Sequence, residues 1–560
     1  MPDNEDVPNH PAPSADQLRR TASELFGLQT LRPGQLEGMA AAVRGEDVLA
    51  VLPTGSGKSA IYQVPGALLD GTAVVVSPLL ALQRDQVEAI NGDLGARRAY
   101  AINSQIGARG ERAAWAAVES AEAKFVFLAP EQLAREETLD RLARCRISLF
   151  VVDEAHCISS WGHDFRPDYL TLTAAIQRLR RPPVMALTAT ASPHVRAEII
   201  ERLGMREPAS IVHSFDRPNL HLEVIRHHED RGKRHAVLDG VEELRGPGLL
   251  YAATRQDTEW YAAELTARGL RAQAYHAGRR AADRTAVHER FHANELDVVV
   301  ATTAFGMGID KPDARFVVHA HIPDSLDSYY QEIGRAGRDG EPARAVLHYR
   351  SEDLGLQQFF VGGVPDEEEL SAVFTAVQEA GSVRAAALSR QTGLSARRQA
   401  RVLNLLEHSG SILAGRRGYR AVRAIEAGTA VERAFAEAES RRRIDQSRVE
   451  MMRGYAETDH CRRDFLLNYF GEETDGYCGN CDNCDEGSAA EARELEAAMP
   501  AGYAMQAPVK HREWGPGTVM GVLPDRITVL FESVGYKDLS LKLIGEDEGL
   551  LEVGEAPSGD

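Results

Sequence analysis

Short apolar runs alternate with amphipathic stretches from about residue 47 to residue 213. Val48–Leu52, Ala73–Ser77, Phe125–Leu128, Ser148–Val152 and Val184–Leu187 are predicted strands, and the stretches between them repeat with helical periodicity. Runs that are apolar on both faces, interleaved with helices, predict a parallel sheet covered by helices on each side. A second set follows the break at Asp216-Arg-Pro-Asn219: Leu249–Ala253, Ala272–Tyr275, Val298–Thr302, Phe316–Ala320 and Ala345–Tyr349. Two α/β units in tandem are expected, spanning 16–213 and 214–350. A ligand would sit at the carboxyl ends of the strands or between the units.

The pattern changes after Ser351. Leu370, Val373 and Val377 mark one helix face, Ala386–Thr392 a second, and Val402, Leu405 and Leu406 a third. Gly410 is a helix stop, and Gly415–Arg423 is Arg-rich with short strands. Gln391-Thr-Gly-Leu-Ser-Ala-Arg-Arg resembles the turn of a helix-turn-helix, so 351–425 reads as a winged-helix-like segment. A charged helix over Val431–Tyr455 opens a module at 426–486 that holds a cysteine cluster. An Ala/Glu-rich linker at 487–507 and a β-like tail at 508–556, expected to form a small barrel, complete the chain. Residues 1–15 are acidic and Pro-rich, without the apolar core of a secretory signal, and read as a disordered tail.

Composition adds limits. With 43% hydrophobic and 26% charged residues in 560, the chain has ordinary globular usage and room for several domains. No run approaches the roughly 18 apolar residues of a membrane helix, so no membrane partner is expected. The net charge of −19 argues against nucleic-acid binding if taken alone. It hides a gradient: Gly381–Arg423 carries nine arginines and one acidic residue, Glu407, while Asp485–Asp560 carries six basic and fifteen acidic residues.

Leu52-Pro-Thr-Gly-Ser-Gly-Lys-Ser59 directly follows a predicted strand. Such a turn closes backbone N–H groups of Thr54, Gly55, Ser56 and Gly57 on phosphate oxygens at a helix N-terminus. Lys58 would neutralise the β/γ-phosphates of ATP, and the Ser59 hydroxyl would ligate Mg²⁺. Leu52 stands where the strict pattern has its first Gly. Leu149-Phe-Val-Val-Asp-Glu-Ala-His156 places two carboxylates past a second strand. There Asp153 can hold Mg²⁺ and Glu154 can orient the attacking water, as phosphoryl transfer requires.

These pieces resemble, in order, those of superfamily 2 helicases, and in detail the RecQ family of DNA helicases, over Gly27–Gly340. Phe26-Gly-Leu-Gln-Thr-Leu-Arg-Pro-Gly-Gln35 is similar to the family's adenine-contacting motif, which implies roles for Arg32 and Gln35; Leu31 replaces the usual Phe. Ser77-Pro-Leu79, Leu128-Ala-Pro-Glu131 and Leu187-Thr-Ala-Thr190 resemble further motifs, with Ser77 a strand contact. Ser159-Ser-Trp-Gly-His-Asp-Phe-Arg-Pro-Asp-Tyr169 resembles the family's aromatic-rich loop, which implies DNA contacts by Trp161, His163, Phe165, Arg166 and Tyr169. Ala301–Asp310 and Tyr330-Gln-Glu-Ile-Gly-Arg-Ala-Gly-Arg338 resemble motifs V and VI. Arg335 and Arg338, three apart and so on one face of a helix, would be arginine fingers, with Gln331 beside them. Tyr251, Thr254, Arg255, His276 and Arg284 match DNA-tracking positions.

The resemblance implies two tandem RecA-like domains and ATP- and Mg²⁺-dependent 3′→5′ unwinding of DNA in repair or recombination. Single-stranded and forked DNA are the expected partners, and the location is the bacterial cytoplasm, at the nucleoid. A DNA-stimulated translocase that unwinds poorly is the alternative, and an RNA helicase a weaker one. Cys461, Cys478, Cys481 and Cys484 offer four thiolates in the spacing of the RecQ zinc module, enough for a closed, structural Zn²⁺ site. A redox pair or an iron–sulfur cluster is the other reading. The family usually places a winged helix after its zinc module, whereas here the Arg-rich segment precedes it. Duplex contact through Arg397, Arg398, Arg401, Arg416 and Arg417 is expected of that segment. The tail from Val509 to Leu539 resembles a Tudor-like barrel; being acidic, it suits a protein partner or serves as a stability cap.

Overall fold

The computed structural model describes residues 13–553, apart from 54, 104–105, 160–165, 304, 306–310, 356–365, 416–417, 473, 475, 498–502, 504–506, 523–525, 532 and 548. The chain divides into two compact units, Met1–Phe215 and Asp216–Asp560.

The first unit holds seven parallel strands: β1 (Val48–Val51), β2 (Thr72–Val76), β3 (Ala99–Ile102), β4 (Phe125–Leu128), β5 (Ile147–Val152), β6 (Val184–Thr188) and β7 (Ala209–Val212). They lie in the order β3-β4-β2-β5-β6-β1-β7. Both faces of β1, β2 and β4 are buried, as their unbroken apolar sequence demands. Asp47, only 3% exposed, pins the start of β1. It takes an ion pair from Arg181 at 2.5 Å and hydrogen bonds from the backbone N–H of Val184 and Arg206. The helix Ala15–Phe26 starts within the expected tail, because the Ser14 side chain caps it.

The second unit begins with six parallel strands: β8 (Leu220–Arg226), β9 (Gly248–Tyr251), β10 (Ala272–Tyr275), β11 (Val298–Ala301), β12 (Phe316–His319) and β13 (Ala343–Tyr349), in the order β10-β11-β9-β12-β13-β8. Three helices follow, Glu367–Ala380, Ala385–Thr392 and Ala396–His408, then the antiparallel pair β14 (Ile412–Gly415) and β15 (Gly418–Ala421). This is the expected winged-helix arrangement. Gly393 (φ 71°) ends the second helix, the Ser395 side chain caps the third, and the buried Gln399 bonds the Ala385 carbonyl at 2.7 Å.

The charged stretch forms a single helix of 31 residues, Ala427–Glu457. Its first half packs on the winged helix through Ala430, Ala434 and Ala438. The cysteine module follows with the helix Arg462–Tyr469. The Ala/Glu-rich stretch expected to link the modules is helical over Ser488–Ala497, as its composition favours. The tail forms β16 (Pro508–His511), β17 (Gly515–Val522), β18 (Arg526–Phe531), β19 (Gly535–Ser540) and β20 (Leu551–Val553), an antiparallel sheet in the order β19-β18-β17-β16-β20 around its own core of Val519, Ile527, Val529 and Phe531.

Candidate active site and metal centre

Strand order assembles the first unit's chemistry. Strands β5, β6 and β1 are neighbours, so the segments leaving their carboxyl ends meet: Asp153-Glu154, Thr188-Ala-Thr190 and the glycine-rich turn. Gly55 and Gly57 adopt left-handed φ values of 84° and 74° in that turn. The left-handed φ of Gly57 strains any other residue, and a Cβ there would also press on Gln35 Nε2 at 2.8 Å. Lys58 Nζ donates to the Leu52 carbonyl at 3.1 Å, and Ser59 Oγ accepts from Gln86 Nε2 at 3.3 Å. Arg32 donates to the Gly55 carbonyl, and Gln35 Nε2 to those of Ser56 and Gly57 at 3.1 and 2.9 Å. Both residues assigned to adenine recognition thus hold the phosphate turn itself. Thr54 lies outside the described residues.

Loss of water, and next the charge of Glu154, push the Asp153 carboxyl up to about 7, with Lys58 opposing. Asp153 and the Ser59 hydroxyl are the oxygen donors that would hold a divalent cation here. Glu154 sits at φ 49°, strained for a non-glycine residue. Its Oε2 lies 3.4 Å from His156 Nδ1, which in turn is 2.9 Å from Thr188 Oγ1. His156 was not among the residues expected at the site. Buried at 1% exposure, it joins the carboxylates to the Thr-Ala-Thr segment.

Several residues expected to contact DNA lie buried. Tyr169 is fully buried, its hydroxyl donating to the Asp153 carbonyl at 3.1 Å, so it offers no face to a base. A phenol that satisfies a backbone carbonyl beneath the carboxylates is part of their support. Ser77 is 1% exposed, and its Oγ has no hydrogen-bond partner among the described residues. Arg166 Nη1 donates to the Pro78 carbonyl at 3.3 Å. Trp161, His163 and Phe165 lie outside the described residues. In the second unit Tyr251 is buried and donates to the Phe305 carbonyl, and His276 is buried against Glu259 at 2.8 Å. The Arg284 Nε is likewise buried. Thr254 caps the helix Arg255–Ala267 by accepting from the Asp257 N–H at 3.0 Å, while Arg255 is exposed.

Arg335 and Arg338 are not on a helix. The helix Leu326–Ile333 ends before Gly334, and Gly337 takes a left-handed φ of 61°. The turn is locked by Arg217, which donates to the carbonyls of Gly334, Ala336 and Gly337, and by Asn219, which also bonds Gly337. Arg335 is 7% exposed and lies against the Tyr251 hydroxyl. Arg338 reaches solvent, its Nε donating to the Gly334 carbonyl at 3.4 Å. Gln331 is partly exposed on the helix. Most of the Ala301–Asp310 motif lies outside the described residues.

The four cysteines converge as expected. Their sulfurs all lie within 4.8 Å of one another, with Cys478 and Cys484 at 3.9 Å. Tetrahedral zinc with bonds of about 2.3 Å sets sulfurs about 3.8 Å apart, so the thiolates fit the ion. The module is keyed to the edge strand β8: Cys481 bridges Leu222, the Val224 N–H donates to Asp482 at 2.8 Å, and Arg463 donates to the Leu220 carbonyl at 2.7 Å. The buried Arg462 ties Asp482 to the Tyr455 carbonyl at 2.6 and 2.8 Å. On the winged helix, Arg398 pairs with Glu369 at 2.6 Å yet stays 66% exposed, and Arg401 is exposed. The Arg397 side chain, Arg416 and Arg417 lie outside the described residues.

A phosphate turn, a carboxylate pair and a Thr-x-Thr segment on adjacent strands of one parallel sheet, with a second parallel sheet in tandem, define a two-sheet P-loop ATPase of the helicase class. Family profiles agree: DEAD/DEAH box helicase matches residues 32–199, helicase conserved C-terminal domain 232–340, and RecQ zinc-binding 420–485. Probable ATP-dependent DNA helicase RecS of Bacillus subtilis is 36% identical over 469 residues, covering 83% of this chain and 90% of that one. ATP-dependent DNA helicase Q-like 2 of Arabidopsis thaliana is 40% identical over 62% of this chain and 50% of its own. The DEAD-box helicase Mss116 bound to ssRNA and UDP-BeF shares the fold, with a TM-score of 0.50 at 16% identity over 70% of this chain and 91% of that one. The chain belongs to the RecQ family of ATP-dependent DNA helicases, binding ATP, DNA and zinc. No helix among the described residues is long and apolar enough to cross a membrane.

Proposed function

We propose that this helicase moves 3′→5′ on single-stranded DNA and opens forked duplexes in repair or recombination. The reading is carried by the meeting of Lys58, Asp153, Glu154 and Thr188 at the carboxyl end of one sheet, with Glu154 and Thr188 joined through His156. ATP entering the turn would draw Lys58 from the Leu52 carbonyl to the β/γ-phosphates, and Arg32 and Gln35 from the turn's carbonyls to the base. Mg²⁺, held by Ser59 and Asp153, would neutralise the phosphate oxygens. Glu154 then orients the attacking water, and its strained backbone aims the carboxylate. If they act as the arginine fingers they resemble, Arg335 and Arg338, with Gln331 beside them, would neutralise charge on the transferring phosphoryl. His156 reports the state of Glu154 to the Thr188–Thr190 segment.

A fork assay with ATP, run beside the same fork made of RNA, tests this reading. Unwinding of DNA alone supports it. ATP turnover without strand separation would make the chain a translocase, and opening of the RNA fork would make it an RNA helicase. Lys58→Ala is expected to lose hydrolysis while keeping much of its DNA binding.

The basic face of the winged helix is the proposed duplex contact. Replacing Arg397, Arg398 and Arg401 together by Glu should weaken forked-DNA binding at low salt by at least about tenfold, since each lost phosphate contact also removes counterion release. Unchanged binding would leave these arginines as solvated surface. Leu543 and Val553, more than half exposed on the C-terminal module, would face a protein partner.

A further inference from the structure

The C-terminal module is not a detached appendage. Strand β19 lies flat on the 31-residue helix: Gly535 has a φ of 78°, and a Cβ there would meet Ser447 Oγ at 2.6 Å and the Arg443 carbonyl at 3.5 Å. The next residue, Tyr536, is 6% exposed. Its ring centroid lies 6.1 Å from that of Tyr469, on the cysteine-module helix, and the two hydroxyls are in hydrogen-bond contact. The Tyr469 hydroxyl donates to Asp327 Oδ2, and Asp327 is 3% exposed in the first turn of the helix Leu326–Ile333. Burial, with the Asp327 charge next, raises the proton affinity of both phenols, which keeps them neutral donors. The same helix is gripped at its middle, where the Tyr455 hydroxyl meets that of Tyr329 at 3.3 Å and Phe470 packs on Tyr330 at 4.9 Å. Its far end releases the chain into the turn that carries Arg335 and Arg338. A helix of eight residues is a rigid rod about 12 Å long, so fixing its first turn fixes where its last turn points.

We infer that the C-terminal module braces its own motor: Tyr536, through Tyr469 and Asp327, is a positioning residue that sets the helix delivering Arg335 and Arg338 to ATP. The inference rests on the reading of those arginines as fingers. A cap that only stabilises would need apolar contact alone, whereas this one ends in a buried phenol–phenol–carboxylate chain at the helix that precedes Arg335 and Arg338. A group buried that fully, with its polar atoms so specifically matched, fixes geometry as well as stability.

The test uses the full-length chain with zinc bound, comparing Tyr536→Phe, Asp327→Asn, Asp327→Ala and Arg338→Ala in DNA-stimulated ATP hydrolysis. Tyr536→Phe should lower kcat roughly five-fold or more with KM for ATP within about two-fold, the pattern of an interaction that matters in the transition state. Zinc content and melting temperature should stay near those of the parent. Asp327→Asn, which still accepts a hydrogen bond, should retain more kcat than Asp327→Ala. Adding Tyr536→Phe to Arg338→Ala should cost less than Tyr536→Phe costs in the parent, because part of its effect acts through the guanidinium already removed. Normal kcat in both Tyr536→Phe and Asp327→Ala, beside an impaired Arg338→Ala, would overturn the brace alone. So would losses that add fully in the double variant. Normal kcat in Arg338→Ala would instead remove the finger reading beneath it.

Discussion

Arg338→Ala is expected to lower DNA-stimulated ATP turnover by about 10³-fold or more, while ATP still binds at the phosphate turn. Arg338 lies beyond the last turn of its helix, on a segment whose carbonyls are held by Arg217 and Asn219. That scaffold should survive the loss of one side chain that reaches solvent. Arg335 differs, since it is enclosed beside Tyr251, and its removal should cost stability as well as rate. Steady-state hydrolysis with single-stranded DNA, paired with equilibrium binding of a fluorescent ATP analogue, separates the two effects. A turnover within tenfold of the parent would show that Arg338 does not meet the transferring phosphoryl.

Removing the zinc should have the largest structural effect. Binding of a structural zinc in isolated peptides is worth about 10–16 kcal/mol, and a four-thiolate site without its ion would leave four thiols crowded within contact distance. Cys481 is also bridged to Leu222 on the edge of the second sheet, and Asp482 accepts from the Val224 N–H of that strand. Cys481→Ser, or prolonged chelation, should therefore loosen β8 and the helix Leu326–Ile333 along with the module. Elemental analysis should find one zinc per chain in the parent and almost none in the variant. The variant should also melt several degrees lower and lose DNA-stimulated hydrolysis. A parent carrying iron, with the visible absorption of a cluster, would replace zinc at this site.

Much of the motor was legible in the sequence because its signals are local. A glycine-rich turn after an apolar run, two carboxylates after another and four cysteines at fixed spacing each announce their chemistry within a dozen residues. The missed strands had weaker signals. Ala99–Ile102 and Ala209–Val212 are short and flanked by charge, and Leu220–Arg226 alternates as an edge strand does. Errors of orientation had a different cause. Tyr169 matched an aromatic loop, and only the fold shows its hydroxyl turned down onto the Asp153 carbonyl. The three-residue spacing of Arg335 and Arg338 suggested a helix face, but Gly334 and Gly337 end the helix first. Asp327, Tyr469 and Tyr536 are far apart in the chain, and no local pattern predicts that they meet.

The long helix Ala427–Glu457 has one further consequence. At about 1.5 Å per residue it is a shaft of some 46 Å, with the DNA-binding candidate mounted on its first half and the zinc centre, with the tyrosines that grip the helix Leu326–Ile333, at its other end. A stiff shaft cannot absorb a push locally. A tilt of about five degrees where the winged helix sits would swing the opposite end through about 4 Å, by the same length. Load on the duplex and the pace of the engine would then be mechanically geared, so that a stalled fork could throttle fuel consumption from the far end of one rod.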